Sequence, residues 1–192
     1  TLVKVQGIVT AQTKNSGYWI QDSTGALNVF TYDSTFANYV GKEITIIAAK
    51  DEYNGLYELK DIVEVVVVNE TPTAITPADL TGVVLDATNL AAYKAQLVSF
   101  TGYVLKYAVE ATEGSFNITL INLTTGNQIN ARIEETVPGY DALLAELQGY
   151  AVGDSIDVTG AIVSWYYSPQ LAISSADVFA PGSSDATAED LL

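Results

Sequence analysis

A chain of 192 residues with 48% apolar side chains can fill one large core or two small ones, and it is too apolar to stay disordered. It has no cysteine, histidine or methionine, which removes disulfides, Ser-His and Cys-His nucleophile pairs, and zinc sites of the usual ligand set. Eight basic residues against 23 acids give a net charge of −15, which favours solubility and opposes nonspecific binding to polyanions.

No apolar run is long enough to span a bilayer, and the longest candidate, IVEVVVV, suits a strand. The first residue is threonine, which we read as the mark of a fragment or a processed product. The cysteine-free, acidic composition, rich in Thr and Tyr, fits a secreted or bacterial cell-surface protein.

Taken in order, the chain reads as strands with one helical interruption per half. LVKVQGIVTAQT places Val3, Val5, Gly7 and Val9 on one face of a first strand. GYWIQD and ALNVFTY follow, separated by the turn STG, in which Asp22 is suited to accept backbone N–H groups. STFANYVG is a short helix or turn. KEITIIAAK and GLYELKDIVEVVVV complete five strands.

NETPTAITPADL is a linker by composition, and DATNLAAYKAQ offers a short helix. The plan then repeats. LVSFTGYVLKYAV is a long strand with Gly102 in its middle. SFNITLIN and NQINARI form a hairpin around LTTG. PGYDALLAELQGY is a helix with Pro138 near its start, Leu143, Leu144 and Leu147 on one face, and Gly149 at its end. GDSIDVTGAIVSWY and SPQLAISSADVFAP are strands four and five.

A glycine inside a long first strand lets it bend and serve two sheet edges. The order β-β-β-α-β-β, twice, matches the OB-fold. The expected fold is all-β: two five-stranded Greek-key barrels in tandem, each with a short helix between strands three and four. The expected boundaries are 1–68 for the first barrel, 69–96 for a linker with a short helix, 97–181 for the second barrel, and 182–192 for a flexible acidic tail.

The stretch VQGIVTAQTKNSGYWIQDSTGALNVF resembles the OB-fold modules of bacterial secreted and surface proteins. These carry V-x-G-x-V, a short loop, then aromatic-x-I-Q-D-x-T-G. The resemblance covers residues 1–68 in motif and 97–181 in fold. It implies a noncatalytic module of the kind found beside extracellular nucleases or in surface lipoproteins of unknown role.

Alternation puts Tyr18, Ile20, Leu27 and Val29 toward a core, and Trp19, Gln21, Asn28, Phe30 and Tyr32 on the outer face of strands two and three. That face is the usual OB-fold binding platform. Trp19 and Phe30 either stack a base or sugar ring there or pack under the second domain or a neighbouring chain. Lys14 lies in the loop between strands one and two, and Lys50 and Lys60 flank the hairpin of strands four and five, in loops that OB-folds use to grip polymers. Residues 1–70 hold five lysines and nine acids, residues 79–181 three bases and eleven acids, so the first half is the better candidate for an anionic ligand.

In the second half SWYYSP puts Trp165, Tyr166 and Tyr167 at a hairpin tip, as a binding clamp or a plug between domains. Arg132, the only arginine, shares an outer face with Asn117, Thr119, Gln128 and Asn130, which suits a sugar or peptide ligand or an ordinary wet sheet face. No carboxylate pair is marked for acid–base work, and phosphate-loop and dinucleotide fingerprints are absent. The expected function is a noncatalytic binding module without metal or cofactor. Its partner would be single-stranded nucleic acid or, as the alternative, a glycan or protein. A spacer between other domains of a longer parent chain is the third reading.

Overall fold

The computed structural model describes residues 1–110 and 113–183. The acidic tail expected at 182–192 lies, from 184 onward, outside them. The first barrel consists of β1 (Leu2–Lys14), β2 (Gly17–Gln21), β3 (Ala26–Phe30), β4 (Glu43–Tyr53) and β5 (Leu56–Asn69), closed in the order β1-β2-β3-β5-β4. β1 is long because it serves two neighbours. Leu2 to Ile8 pair with β4, and Ile8 to Lys14 pair with β2 through two bulges that turn the strand. A parallel pairing of Asn28 and Val29 with Glu58 and Leu59 shuts the barrel.

The plan recurs in β7 (Leu97–Leu105), β8 (Phe116–Ile121), β9 (Gln128–Ile133), β10 (Ser155–Tyr166) and β11 (Ser168–Ala172). β10 pairs with β7 as well as β11, and β9 meets β11 in parallel, so this half also closes. The short strands β6 (Ala78–Asp79) and β12 (Phe179–Pro181) extend it at β7 and β10. A 3-10 turn at Ser34–Tyr39 and the helix α2 (Tyr140–Gln148) occupy the same place in the two barrels, between third and fourth strands. The all-β tandem-barrel fold read from the sequence is therefore the fold observed.

Each barrel has its own core. The first is built on Tyr18, Ile20, Val29, Phe36, Ile44, Ile46 and Leu59, with Tyr18 and Phe36 rings meeting edge to face at 4.8 Å. The second is larger and takes Leu143 and Leu147 from α2. Leu80, Leu85 and Leu90 are also buried in it. Residues 78–90, expected to be part of a bridge, therefore pack as part of the second barrel. A short helix, α1 (Ala87–Leu90), capped by Asp86 on the N–H of Asn89, lies in this segment. Among the described residues no helix is long and apolar enough to cross a membrane.

The bend expected at Gly102 is visible as a register shift between β7 and β10. Tyr103 pairs with Ile156 and Phe100 with Val158, leaving two residues of β7 against one of β10. Gly102 has φ 87°, and a Cβ there would meet nothing closer than 3.9 Å. Gly102→Val should thus destabilise by about 1–3 kcal/mol, chiefly through backbone strain, since the Cβ itself finds room. Chemical denaturation checks this: the urea midpoint should fall while the slope is kept.

Candidate binding cleft between the barrels

The outer face of the β2–β3 hairpin does not meet solvent freely. Trp19 is only 3% exposed and packs with Ala11 and Leu56 of the first barrel against Ala95, Ile162 and Ala172 of the second part of the chain. The alternation is kept, since Tyr18 and Ile20 point into the first core while Trp19 points away from it. What covers Trp19 is the other barrel. Its indole N–H donates to the Thr13 hydroxyl at 2.9 Å. Gln21 is sealed into the same seam, where its side-chain oxygen accepts the backbone N–H of Leu97 at 3.0 Å. These two residues therefore lack the open face that ring stacking requires, and their role is to join the barrels.

The seam is continued by the two hairpins of strands four and five. The tip of β4–β5 is Asn54–Gly55, both with positive φ, the pairing that a tight hairpin turn demands. It abuts the tip of β10–β11, where the Tyr167 N–H donates to the Asn54 carbonyl at 2.9 Å. Lys94 donates to the Gly55 carbonyl at 2.7 Å and lies 4.1 Å from the centre of the Trp165 ring. A further clasp joins Asn15 and Thr136, whose hydroxyl accepts the Asn15 N–H at 3.0 Å.

Beside this seam lies an open cleft of about 800 Å³. From the first barrel it is lined by Thr13, Lys14, Trp19, Asn28, Phe30, Tyr53, Leu56, Glu58 and Lys60. The second barrel contributes Asn117, Arg132, Glu134, Ser164, Trp165, Tyr166, Gln170 and Ala172. Both barrels thus turn the same two regions, the second-to-third and fourth-to-fifth hairpins, toward one space. Its volume falls in the range of roughly 300–1,000 Å³ typical of ligand sites.

The cleft gathers many of the residues singled out in the sequence: Lys14, Asn28, Phe30, Lys60, Arg132, Trp165 and Tyr166, with the buried Trp19 at its wall. Asn28 is mostly committed inward, its amide donating to the Tyr18 carbonyl at 3.0 Å. Tyr32, 72% exposed, stands outside the cleft with its ring 5.3 Å from that of Phe30. Lys50 is also outside. In the β4–β5 ladder Lys50 pairs with Leu59, while Lys60 pairs with Ala49, so the two lysines emerge on opposite faces of the hairpin. Lys50 instead lies over the Tyr57 ring, 4.4 Å from its centre. Thr119 and Asn130 spend their side chains on each other at 3.0 Å, and Gln128 accepts from Lys106 at 3.1 Å.

Alternation could have supplied two missed residues, Tyr53 and Glu58, which share the cleft face of the hairpin with Lys60. The same count reaches Glu134, two residues beyond Arg132, and Ser164, two before Tyr166, with Gln170 paired opposite Ser164.

Charge in the cleft is partly compensated. Arg132 Nε donates to Glu134 Oε1 at 3.3 Å, and the other Glu134 oxygen accepts from Ser115 at 2.9 Å. Lys60 is paired with Asp51, which holds the Asp51 carboxyl below and the Lys60 ammonium above their usual ranges. Burial pushes the Glu58 carboxyl up, against the pull of Lys60. Outside the cleft, Asp22 accepts from the backbone N–H groups of Thr24 and Gly25 and from the Thr24 hydroxyl, which lowers its pKa and identifies it as a turn residue. Among the described residues no group of three or more acids could hold a metal ion.

No protein-family model and no curated protein matches the chain. Among solved structures, a murine DNA-binding protein bound to double-stranded DNA is similar at 12% identity and a TM-score of 0.38, over 88% of this chain and 92% of that one. The p202 HIN1 domain in complex with a 12-mer double-stranded DNA is similar at 10% identity and a TM-score of 0.40, over 89% of each chain. Likeness at this level transfers nothing about ligand, and the cleft is read from its own chemistry.

Proposed function

We propose that the chain is a noncatalytic binding module that holds a single strand of nucleic acid in the cleft between its barrels. The observation that carries this reading is the convergence of three of the eight basic residues, Lys14, Lys60 and Arg132, with the rings of Phe30, Tyr53, Trp165 and Tyr166 on one cleft of an otherwise strongly acidic protein. Rings offer stacking worth ~1–3 kcal/mol per base, and the cations offset the chain's own negative field at the one place a phosphate must approach. The lack of histidine and cysteine supports a role without catalysis. Composition and the aromatic-x-I-Q-D-x-T-G motif support a secreted or surface setting within a longer parent chain.

Titration of a fluorescent oligothymidylate of about twelve nucleotides, read by anisotropy, tests the reading. Binding should weaken with salt along a shallow slope of about −2, since three cations neutralise at most three phosphates. Arg132→Ala should weaken it by about tenfold or more, because a charge-assisted contact is lost. Absence of binding at low salt would sink the proposal. A neutral saccharide is the second reading, favoured by the carboxylates of Glu58 and Glu134 among the cations of the cleft. It predicts salt-independent binding of an oligosaccharide and none of the oligothymidylate.

A further inference from the structure

The mouth of the cleft carries a feature that neither core packing nor the seam explains. Tyr53, Tyr166 and Tyr167 are 58%, 54% and 75% exposed, yet their rings form a connected run, Tyr53 to Tyr166 at 6.4 Å and Tyr166 to Tyr167 at 5.0 Å. The run crosses from one barrel's hairpin to the other's. Tyr53 and Tyr166 line the cleft; Tyr167 lies beyond it.

Backbone geometry singles out Tyr167. It alone turns the chain between Tyr166 and Ser168, which pair, and it does so at φ 61°. That region suits glycine or asparagine, and a bulky residue there is strained. The tip it faces uses Asn54 and Gly55 for the same task. So one tip has the residues its turn favours, whereas the other holds an exposed aromatic ring at a cost in strain. Strain kept at an exposed ring, with no burial to offset it, points to a use for the ring itself.

We infer that Tyr167, beside Tyr53 and Tyr166 at the cleft mouth, extends the cleft into a further ring-binding subsite, which stacks the bases of a strand where it leaves the inter-barrel space. This rests on the cleft reading and extends it: the ligand must be a polymer longer than the cleft, and the two hairpin tips share its outer units.

The test uses Tyr167→Gly on the full chain. Glycine accepts the left-handed φ without strain, so the melting temperature should not fall. Affinity for an oligothymidylate of about twelve nucleotides should drop by about tenfold, the effect of one lost stack, while affinity for one of about four nucleotides stays unchanged. Arg132→Ala should weaken both lengths alike. If Tyr167→Gly leaves the ratio of long to short affinity unaltered, the subsite does not exist, even where Arg132→Ala confirms the cleft. A lowered melting temperature with that ratio unaltered makes Tyr167 a structural contact and overturns the inference as well. Should the wild-type chain bind neither length, the cleft reading falls first and takes the subsite with it.

Discussion

Trp19→Ala is expected to destabilise the protein by about 3–5 kcal/mol, the usual cost of emptying a buried tryptophan site. The side chain is 3% exposed and closes the seam against Ala95, Ile162 and Ala172. Three of its buried neighbours, Ala11, Ala95 and Ala172, have no side chain long enough to reach into the space, and the neighbours belong to two separately built barrels, so little collapse can fill it. The Thr13 hydroxyl, itself buried, also loses its donor. For a chain of this size the melting temperature should fall by about 6–20 °C. Each barrel keeps its own core in the mutant, since Trp19 belongs to neither. Calorimetry should then resolve two transitions, where a single one is expected of the wild type. A mutant that melts once, near the wild-type temperature, would mean that Trp19 is not what couples the barrels.

What local chemistry encodes here is direction; what it does not encode is the surface that a direction meets. Period-two alternation across GYWIQ sends Tyr18 and Ile20 inward and Trp19 and Gln21 outward, and the structure keeps that division. Whether an outward tryptophan meets a ligand or a second domain depends on how the barrels dock, which involves residues about eighty to 150 positions away. The repeated plan and the glycine bend were legible because each leaves a local trace: a period, a turn residue, a helix end.

The opposed faces of Lys50 and Lys60 were legible too. A two-residue turn at Asn54–Gly55 fixes the register so that Tyr53 meets Leu56 and Lys50 meets Leu59. Counting back from that turn separates the two lysines, whereas grouping them by loop does not. The linker reading of 69–96 followed prolines and threonines, but Leu80, Leu85 and Leu90 decide where the segment packs, and their five-residue spacing matches neither helix nor strand period. The cleft itself, assembled from hairpins of both barrels, has no trace in any one stretch.

Gly55→Ala should open the seam from its other end. A Cβ at Gly55 would stand 2.7 Å from Trp165 Cδ1 and 3.0 Å from its Nε1. The backbone φ of 93° adds strain that an L-residue bears poorly. Together these should cost about 2–4 kcal/mol. The two contributions can be separated, because only the collision depends on the indole. In a double-mutant cycle with Trp165→Ala, the part due to collision should vanish and the part due to φ should remain, giving a coupling of about 1–2 kcal/mol. The indole cannot retreat freely, since Lys94 lies over its ring while donating to the Gly55 carbonyl. Displacing Trp165 also moves a wall of the cleft, so the single mutant should lose oligothymidylate affinity along with stability. Additive stabilities in the cycle would show that Gly55 is required for the turn alone, and that the two hairpin tips are not packed against each other in solution.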